Sequence, residues 1–200
     1  MIPRLYPQQV REKLGTFPAV AILGPRQCGK TTLAQGFHGL YFDMEAAGSE
    51  ARLDAEWDAL AAGKRLIVLD EAQQAPKVFS RLRGTIDADR KRNGRFLLLG
   101  SVSPALMRDV SESLAGRLGL VMMGPLVLPE IQSDQMDALW LRGGYPDGGI
   151  LDPRMFPAWQ QDYLNTLATR DLPNWGLPAR PQLLLRLLHM LAAIHGQSLN

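Results

Sequence analysis

The 200-residue sequence has a single cysteine, Cys28, and only three histidines. A lone cysteine excludes an intrachain disulfide and a multi-cysteine metal cluster, and it fits a reducing compartment. His38, His189 and His195 have no acid or cysteine at ligand spacing, so no histidine-based metal site is expected. An excess of one charge is also lacking: 22 Lys and Arg stand against 20 Asp and Glu, a net of +2. The whole chain is therefore not a polyelectrolyte built for nucleic acid or an anionic membrane, and any such contact must come from a local patch. No stretch approaches the ~18 uninterrupted apolar residues that suggest a membrane helix. The opening Met1-Ile2-Pro3-Arg4-Leu5-Tyr6-Pro7 has no apolar signal-peptide middle. A soluble, cytoplasmic chain without a membrane partner is expected. Repeats and low-complexity segments are absent.

Hydrophobic residues make up 46% of the chain. At this length they can bury one good core and leave roughly 60 to 70 residues for a second, smaller unit. Strand-like apolar runs recur at Val20–Leu23, Leu40–Phe42, Leu66–Leu69, Phe96–Leu99 and Leu118–Met123. The runs are nearly continuous instead of alternating, which indicates strands covered on both faces. The expected fold class is α/β, a parallel sheet in a three-layer domain. Val78, Phe79, Leu82 and Ile86 recur at helical spacing between the third and fourth runs, and Asn93-Gly94 supplies a stop. Gly and Pro crowd the span from 124 to 153, and the boundary is expected near residue 130, giving units 1–130 and 131–200. Beyond it, Phe156 to Arg170 and Pro181 to His195 read as helices, the second with a broad leucine face.

The first run leads into Gly24-Pro25-Arg26-Gln27-Cys28-Gly29-Lys30-Thr31-Thr32. A buried strand that breaks at glycine, loops and opens a helix can turn backbone N–H groups inward around a triphosphate. Lys30 is placed to reach the β- and γ-phosphates, and the Thr31 hydroxyl to ligate a bridging magnesium ion. About forty residues later, Leu66-Ile67-Val68-Leu69-Asp70-Glu71 delivers two acids to the end of the third strand. Asp70 would hold the magnesium through water, and Glu71 would polarise the attacking water. The plainer alternative is an acid pair that caps the next turn.

Other candidates carry plainer alternatives, nearly as strong as the functional reading for Ser101 and stronger than it for Asp43 and for redox control at Cys28. Ser101, after Leu97-Leu98-Leu99-Gly100, reads either as a sensor of the γ-phosphate or as a cap of the next helix. Arg117 is either a transition-state arginine, within the chain or across a subunit contact, or a surface arginine. Asp43 either touches the site or caps a turn. Cys28, among loop N–H groups and Lys30, is a candidate for a lowered thiol pKa and redox control, or just a small side chain. Arg81, Arg83, Arg90, Lys91, Arg92 and Arg95 form a basic stretch without interleaved aromatics, which reads as solvated surface more than as a nucleic-acid face.

An Asn-Lys-x-Asp base-reading segment is missing, which argues against a GTPase and leaves ATP as the ligand. Adjacent acids on one strand and Gly-Ser on the next favour hydrolysis over transfer to a small-molecule acceptor. With a strand inserted between the loop strand and the acid strand, the sheet would run 5-1-4-3-2. These residues, with Leu69-Asp70-Glu71-Ala72-Gln73, Ser113-Leu114-Ala115-Gly116-Arg117, Pro125-Leu126, Arg142-Gly143-Gly144-Tyr145-Pro146 and Thr169-Arg170-Asp171-Leu172, resemble bacterial and archaeal ATP-binding proteins of the AAA superfamily that carry a C-terminal domain of unknown function. The resemblance covers nearly the whole chain. It implies a P-loop ATPase core using ATP and Mg2+, a functional Arg117, and a DNA or protein partner reached through the C-terminal part, with oligomers open. It also implies a fragment or truncated product, since the sequence ends at Ser198-Leu199-Asn200, where the family's helix-turn-helix begins. Two functions follow: an ATPase that moves its C-terminal helices, or a slow nucleotide-operated binding switch. A small-molecule phosphotransferase is the third.

Overall fold

The computed structural model describes residues 2–101, 112–177, 180–194 and 196–197. Helix α1 (Tyr6–Thr16) leads into β1 (Ala19–Leu23), and the phosphate loop follows. Then come α2 (Lys30–Gln35), β2 (Leu40–Asp43), α3 (Ser49–Ala62), β3 (Ile67–Asp70), α4 (Lys77–Ala88), β4 (Phe96–Gly100) and β5 (Leu118–Met122). The five strands form one parallel sheet in the order β2-β3-β4-β1-β5, the expected 5-1-4-3-2 seen from the other edge.

Both faces of the sheet are covered, which explains why the strands read as unbroken apolar runs. Ala19, Ala21 and Leu23 of β1 point with Leu69 and Leu98 into a core closed by Leu53 and Trp57 of α3 and Phe79, Leu82 and Ile86 of α4. Val20 and Ile22 point the other way, with Leu97, Leu99 and Val121, against Val10 of α1 and Leu33 and Ala34 of α2. Helix α1 has no counterpart among the elements expected from sequence. It buries only Val10 fully, too little for a clear apolar stripe.

Of the basic stretch, Arg81, Arg83, Arg90 and Lys91 are exposed as expected, while Arg92 and Arg95 turn toward the fold. Arg92 and Arg95 donate to the carbonyl of Ala61 at 3.1 and 3.4 Å, and Arg95 also reaches Thr85 O at 2.8 Å. These carbonyls end α3 and α4, where cations satisfy orphan acceptors and the helix dipole. Arg81 pairs with Asp54 and lies 5.0 Å from the Trp57 ring.

After β5 the chain runs through short turns to α5 (Met136–Arg142), α6 (Ala158–Thr166) and α7 (Pro181–Ala193). Helix α6 begins at Ala158 instead of Phe156, because Pro157 disfavours helical dihedrals at the residue before it and Phe156 is extended, φ −85° and ψ 137°. It continues as a π turn, Leu167–Asp171, and a helical turn, Leu172–Asn174. His195, expected as the end of the last helix, lies outside the described residues, as does the Ser198-Leu199-Asn200 end. Tyr145, Trp159 and Tyr163 stack with centroids 4.8 to 5.3 Å apart, and the two tyrosine hydroxyls meet at 2.9 Å. Among the described residues no helix is long and apolar enough to cross a membrane.

One buried ion pair ties the amino terminus to the segment after β5. Arg4 Nε lies 3.0 Å from Glu130 Oε1, with the two side chains 8% and 0% exposed. Glu130 also accepts from the backbone of Leu5 and Val127, at 2.8 and 3.1 Å. Arg4 donates onward to Cys28 O at 2.5 Å and Gly124 O at 2.7 Å. Removing one charge leaves the other buried and uncompensated. Glu130→Gln is therefore expected to cost about 3–5 kcal/mol of stability, read as a lower midpoint in urea unfolding. An unchanged midpoint would show that the pair is not a structural tie.

Candidate functional site

Parallel strands bring their carboxyl ends to one edge, and in such sheets ligands bind outside that edge. Here the edge collects the loop after β1, Asp70 and Glu71 after β3, and Ser101 after β4. Gly24 begins the loop in a space that only glycine fits: a Cβ there would stand 2.0 Å from the carbonyl oxygen of Met123. Gln27 and Gly29 take positive φ, 61° and 96°, which folds the loop back before α2 starts at Lys30. The first N–H groups of that helix have no intrahelical acceptor.

Lys30 is buried, and its ammonium donates to the carbonyls of Gly24 and Pro25 at 3.0 and 2.8 Å, so it arches over the loop. The Thr31 hydroxyl donates to Asp70 Oδ2 at 2.6 Å. Asp70, 4% exposed, takes a second hydrogen bond on the same oxygen from Tyr41 Oη at 2.6 Å, and its Oδ1 accepts from Glu71 N at 2.9 Å. Tyr41 was not among the expected residues. It ends up here because β2 pairs with β3 in register, Tyr41 beside Val68. Burial and the Asp70 carboxylate both push its phenol pKa up, so it remains a donor.

Glu71 is held in the left-handed region, φ 49° and ψ 46°, a costly conformation for glutamate that aims its side chain toward the loop. Gln73 Nε2 donates to its carboxylate, and the other amide atom of Gln73, Oε1, is buried without a partner. Burial raises the Glu71 pKa, while Gln73, Lys30 and Arg26 oppose the shift.

A cavity of about 850 Å³ runs along this edge. Arg26, Gln27, Gly29, Lys30, Thr31, Thr32 and Glu71 line one part of it, Ile2, Pro3 and Pro7 another, and Tyr163 and Asp171 a third. The Cys28 side chain is turned away from the cavity and buried. Its thiol points at Met123 O, 3.7 Å distant, and burial raises its pKa more than Lys30 and Arg4 lower it. The expected lowered thiol pKa is thus overturned: burial outweighs the neighbouring cations.

Ser101 is buried at the end of β4, next to Gly100, whose carbonyl accepts from Gly24 N at 3.3 Å. Its other expected role, capping the turn into a following helix, falls on residues outside the described ones. Asp43 accepts from Glu45 N at 2.9 Å, which is its turn-capping role. Arg117 is not brought to the site within this chain. It precedes β5, at the amino-terminal edge of the sheet, where its carbonyl accepts from Ala19 N. One strand, Ala19–Leu23, separates it from Gly24, and its guanidinium is engaged with both oxygens of Asp87, at 2.8 and 2.9 Å. That pairing with Arg117 and Arg90 holds the Asp87 carboxyl down at about 2.

The donor set suits a hard cation. A hydroxyl and a carboxylate 2.6 Å apart match a Mg2+ ion that takes one or two protein oxygens and fills its other positions with water and phosphate. Among the described residues no cluster of three or more His, Cys, Asp or Glu offers a site for a different metal. Outer partners that orient a ligand typically matter for metal affinity by about 10–100-fold. Tyr41→Phe is accordingly expected to weaken Mn2+ binding about tenfold in the presence of nucleotide, measured by the loss of the free Mn2+ electron spin resonance signal. Equal affinity in the variant would remove Tyr41 from the site.

Comparison with known proteins agrees with this geometry. A family model described as an AAA domain matches residues 16–132. The uncharacterized proteins Mb2031c of Mycobacterium bovis and Rv2008c of Mycobacterium tuberculosis are each 38% identical over 194 residues, 94% of this chain. The chain spans 44% of the length of these curated relatives. Among solved structures, the Walker-type ATPase PABY2304 of Pyrococcus abyssi superposes with a TM-score of 0.58 over 96% of this chain and 76% of that one. At 15% identity that likeness concerns the fold. With the matched region reaching from the end of α1 to the turn after β5, and so enclosing the loop and both acids, the chain belongs to the AAA domain family.

Proposed function

We propose that this chain binds ATP with magnesium, hydrolyses it, and passes the change to its C-terminal helices, residues 131–200. The observation that carries the reading is the convergence of Lys30, Thr31 and Glu71 on one cavity at the carboxyl edge of the sheet, with Asp70 hydrogen-bonded to Thr31 and Glu71 behind them. Lys30 and the loop N–H groups would hold the β- and γ-phosphates. Thr31 and Asp70 would hold the magnesium, which when bound neutralises charge developing between those phosphates. Glu71, whose pKa burial raises, suits a group that accepts a proton from water. Ser101 is a candidate contact to the γ-phosphate. Arg117 could act only on a neighbouring copy, and would have to leave Asp87 to do so.

One observation favours the slower, switch-like use of the same site. Gln73 donates to one oxygen of the Glu71 carboxylate, which makes Glu71 a weaker base toward an attacking water. On the partner, the exposed face of α7 carries Leu183, Leu187, Met190 and Leu191 with a single arginine, Arg186, and a mainly apolar face supports a protein over DNA.

Steady-state phosphate release separates these readings. Lys30→Ala is expected to abolish ATP binding. Glu71→Gln should bind ATP but lower turnover by about 10²-fold or more. Turnover that survives Glu71→Gln would contradict the hydrolytic role of Glu71. A second outcome concerns pH: because burial raises the Glu71 pKa, turnover should fall on acidification at a pH above that of an ordinary glutamate. An acid limb near pH 4 would instead mean an unperturbed carboxylate.

A further inference from the structure

The π turn Leu167–Asp171 interrupts a longer helical stretch running from Ala158 to Asn174. Such turns are rare and tend to sit at functional positions. This one ends on Asp171, whose side chain is 7% exposed and lines the same cavity as Lys30, Thr31 and Glu71. Its partner is Arg26 of the phosphate loop, with Nε 3.2 Å from Asp171 Oδ1. Glu45 Oε1 stands 3.7 Å from another nitrogen of the same guanidinium, and Arg170 Nε lies 3.4 Å from Asp171 Oδ1. Arg26 also acts with Lys30 to lower the Glu71 carboxyl against burial, and it lines the same cavity as Glu71.

We propose that Asp171 reads the terminal phosphate of the nucleotide: a bound triphosphate competes with Asp171 and Glu45 for Arg26, and by taking it releases the π turn and α6. This rests on the nucleotide-binding reading above. A guanidinium presents a planar fork that suits phosphate better than two separate carboxylates. A γ-phosphate placed beside Glu71, Glu45 and Asp171 also adds negative charge to three acids, and Arg26 is the cation they share. Once Arg26 turns to the phosphate, Asp171 is a buried carboxylate that keeps only the half-exposed Arg170, and a buried charge short of partners moves toward water. The segment that carries it moves too. A diphosphate lacks the competing group and leaves the pair in place. By reciprocity, whatever the triphosphate does to the pair, the pair does to triphosphate affinity.

The sign of one affinity change decides the matter. Full-length protein is titrated calorimetrically with Mg2+ and either adenosine 5′-(γ-thio)triphosphate or ADP, for wild type and Asp171→Asn. The expected result is triphosphate affinity raised about fivefold or more in the variant, with ADP affinity unchanged. Weaker or equal triphosphate binding overturns the proposal, the weaker case meaning that Asp171 merely holds Arg26 ready for phosphate. Hydrogen exchange of the wild type tests the same latch if the variant fails to fold. Amides of residues 158–175 should lose protection with the triphosphate and keep it with ADP, and equal protection overturns the latch. A wild type that binds neither nucleotide overturns the nucleotide reading and the latch with it, whereas one that binds both without these differences overturns the latch alone.

Discussion

The hydrogen bond from Thr31 to Asp70, 2.6 Å long, joins the two halves of the site, and the rest of the structure is arranged so that it can form. Thr31 comes from the loop after β1 and Asp70 from the end of β3, with β4 between those strands. In a parallel sheet every strand ends at the same edge, so a loop and an acid 39 residues apart in sequence arrive together without any dedicated connection. Burial of Asp70 gives the contact its value. Three donors, from Thr31, Tyr41 and the Glu71 backbone, converge on one carboxylate at 4% exposure, where each counts for more than it would in water.

Two arginines fix this edge to the rest of the chain. Arg4 binds the carbonyls of Cys28 and Gly124 and the carboxylate of Glu130, so the amino-terminal segment, the phosphate loop and the exit from β5 share one guanidinium. Arg26 does the same on the other side, joining the loop to Glu45 and to Asp171 of the C-terminal helical stretch. The loop is thus braced by segments at both ends of the chain, and its conformation is coupled to where they sit. A nucleotide that engages Arg26 acts on that coupling directly.

Much of the architecture is legible in the sequence because it rests on local signals. Unbroken apolar runs identify strands buried on both faces, and the spacing of Gly24, Gly29, Lys30 and Thr31 identifies the loop. The acids Asp70 and Glu71 follow from their place at a strand end. What the sequence hides is long-range. Tyr41 reaches Asp70 only through strand pairing, Arg4 meets Glu130 across 126 positions, and Asp171 finds Arg26 only once the C-terminal helices dock. Arg117 stands directly before the Leu118–Met123 run, and in a parallel sheet that position alone puts it at the amino-terminal edge, away from the phosphate loop. Cys28 is less legible, since nearby cations are visible in sequence and burial is not.

The central claim is that one edge of this sheet receives a triphosphate and its metal together. A crystal structure of the full chain with Mn2+ and a non-hydrolysable ATP analogue tests it most directly, since anomalous scattering locates the metal independently of the nucleotide. The phosphates are expected inside the turn from Gly24 to Thr31, with the Mn2+ peak beside the Thr31 hydroxyl and the Asp70 carboxylate. A nucleotide bound elsewhere, or a metal away from both oxygens, would contradict the claim.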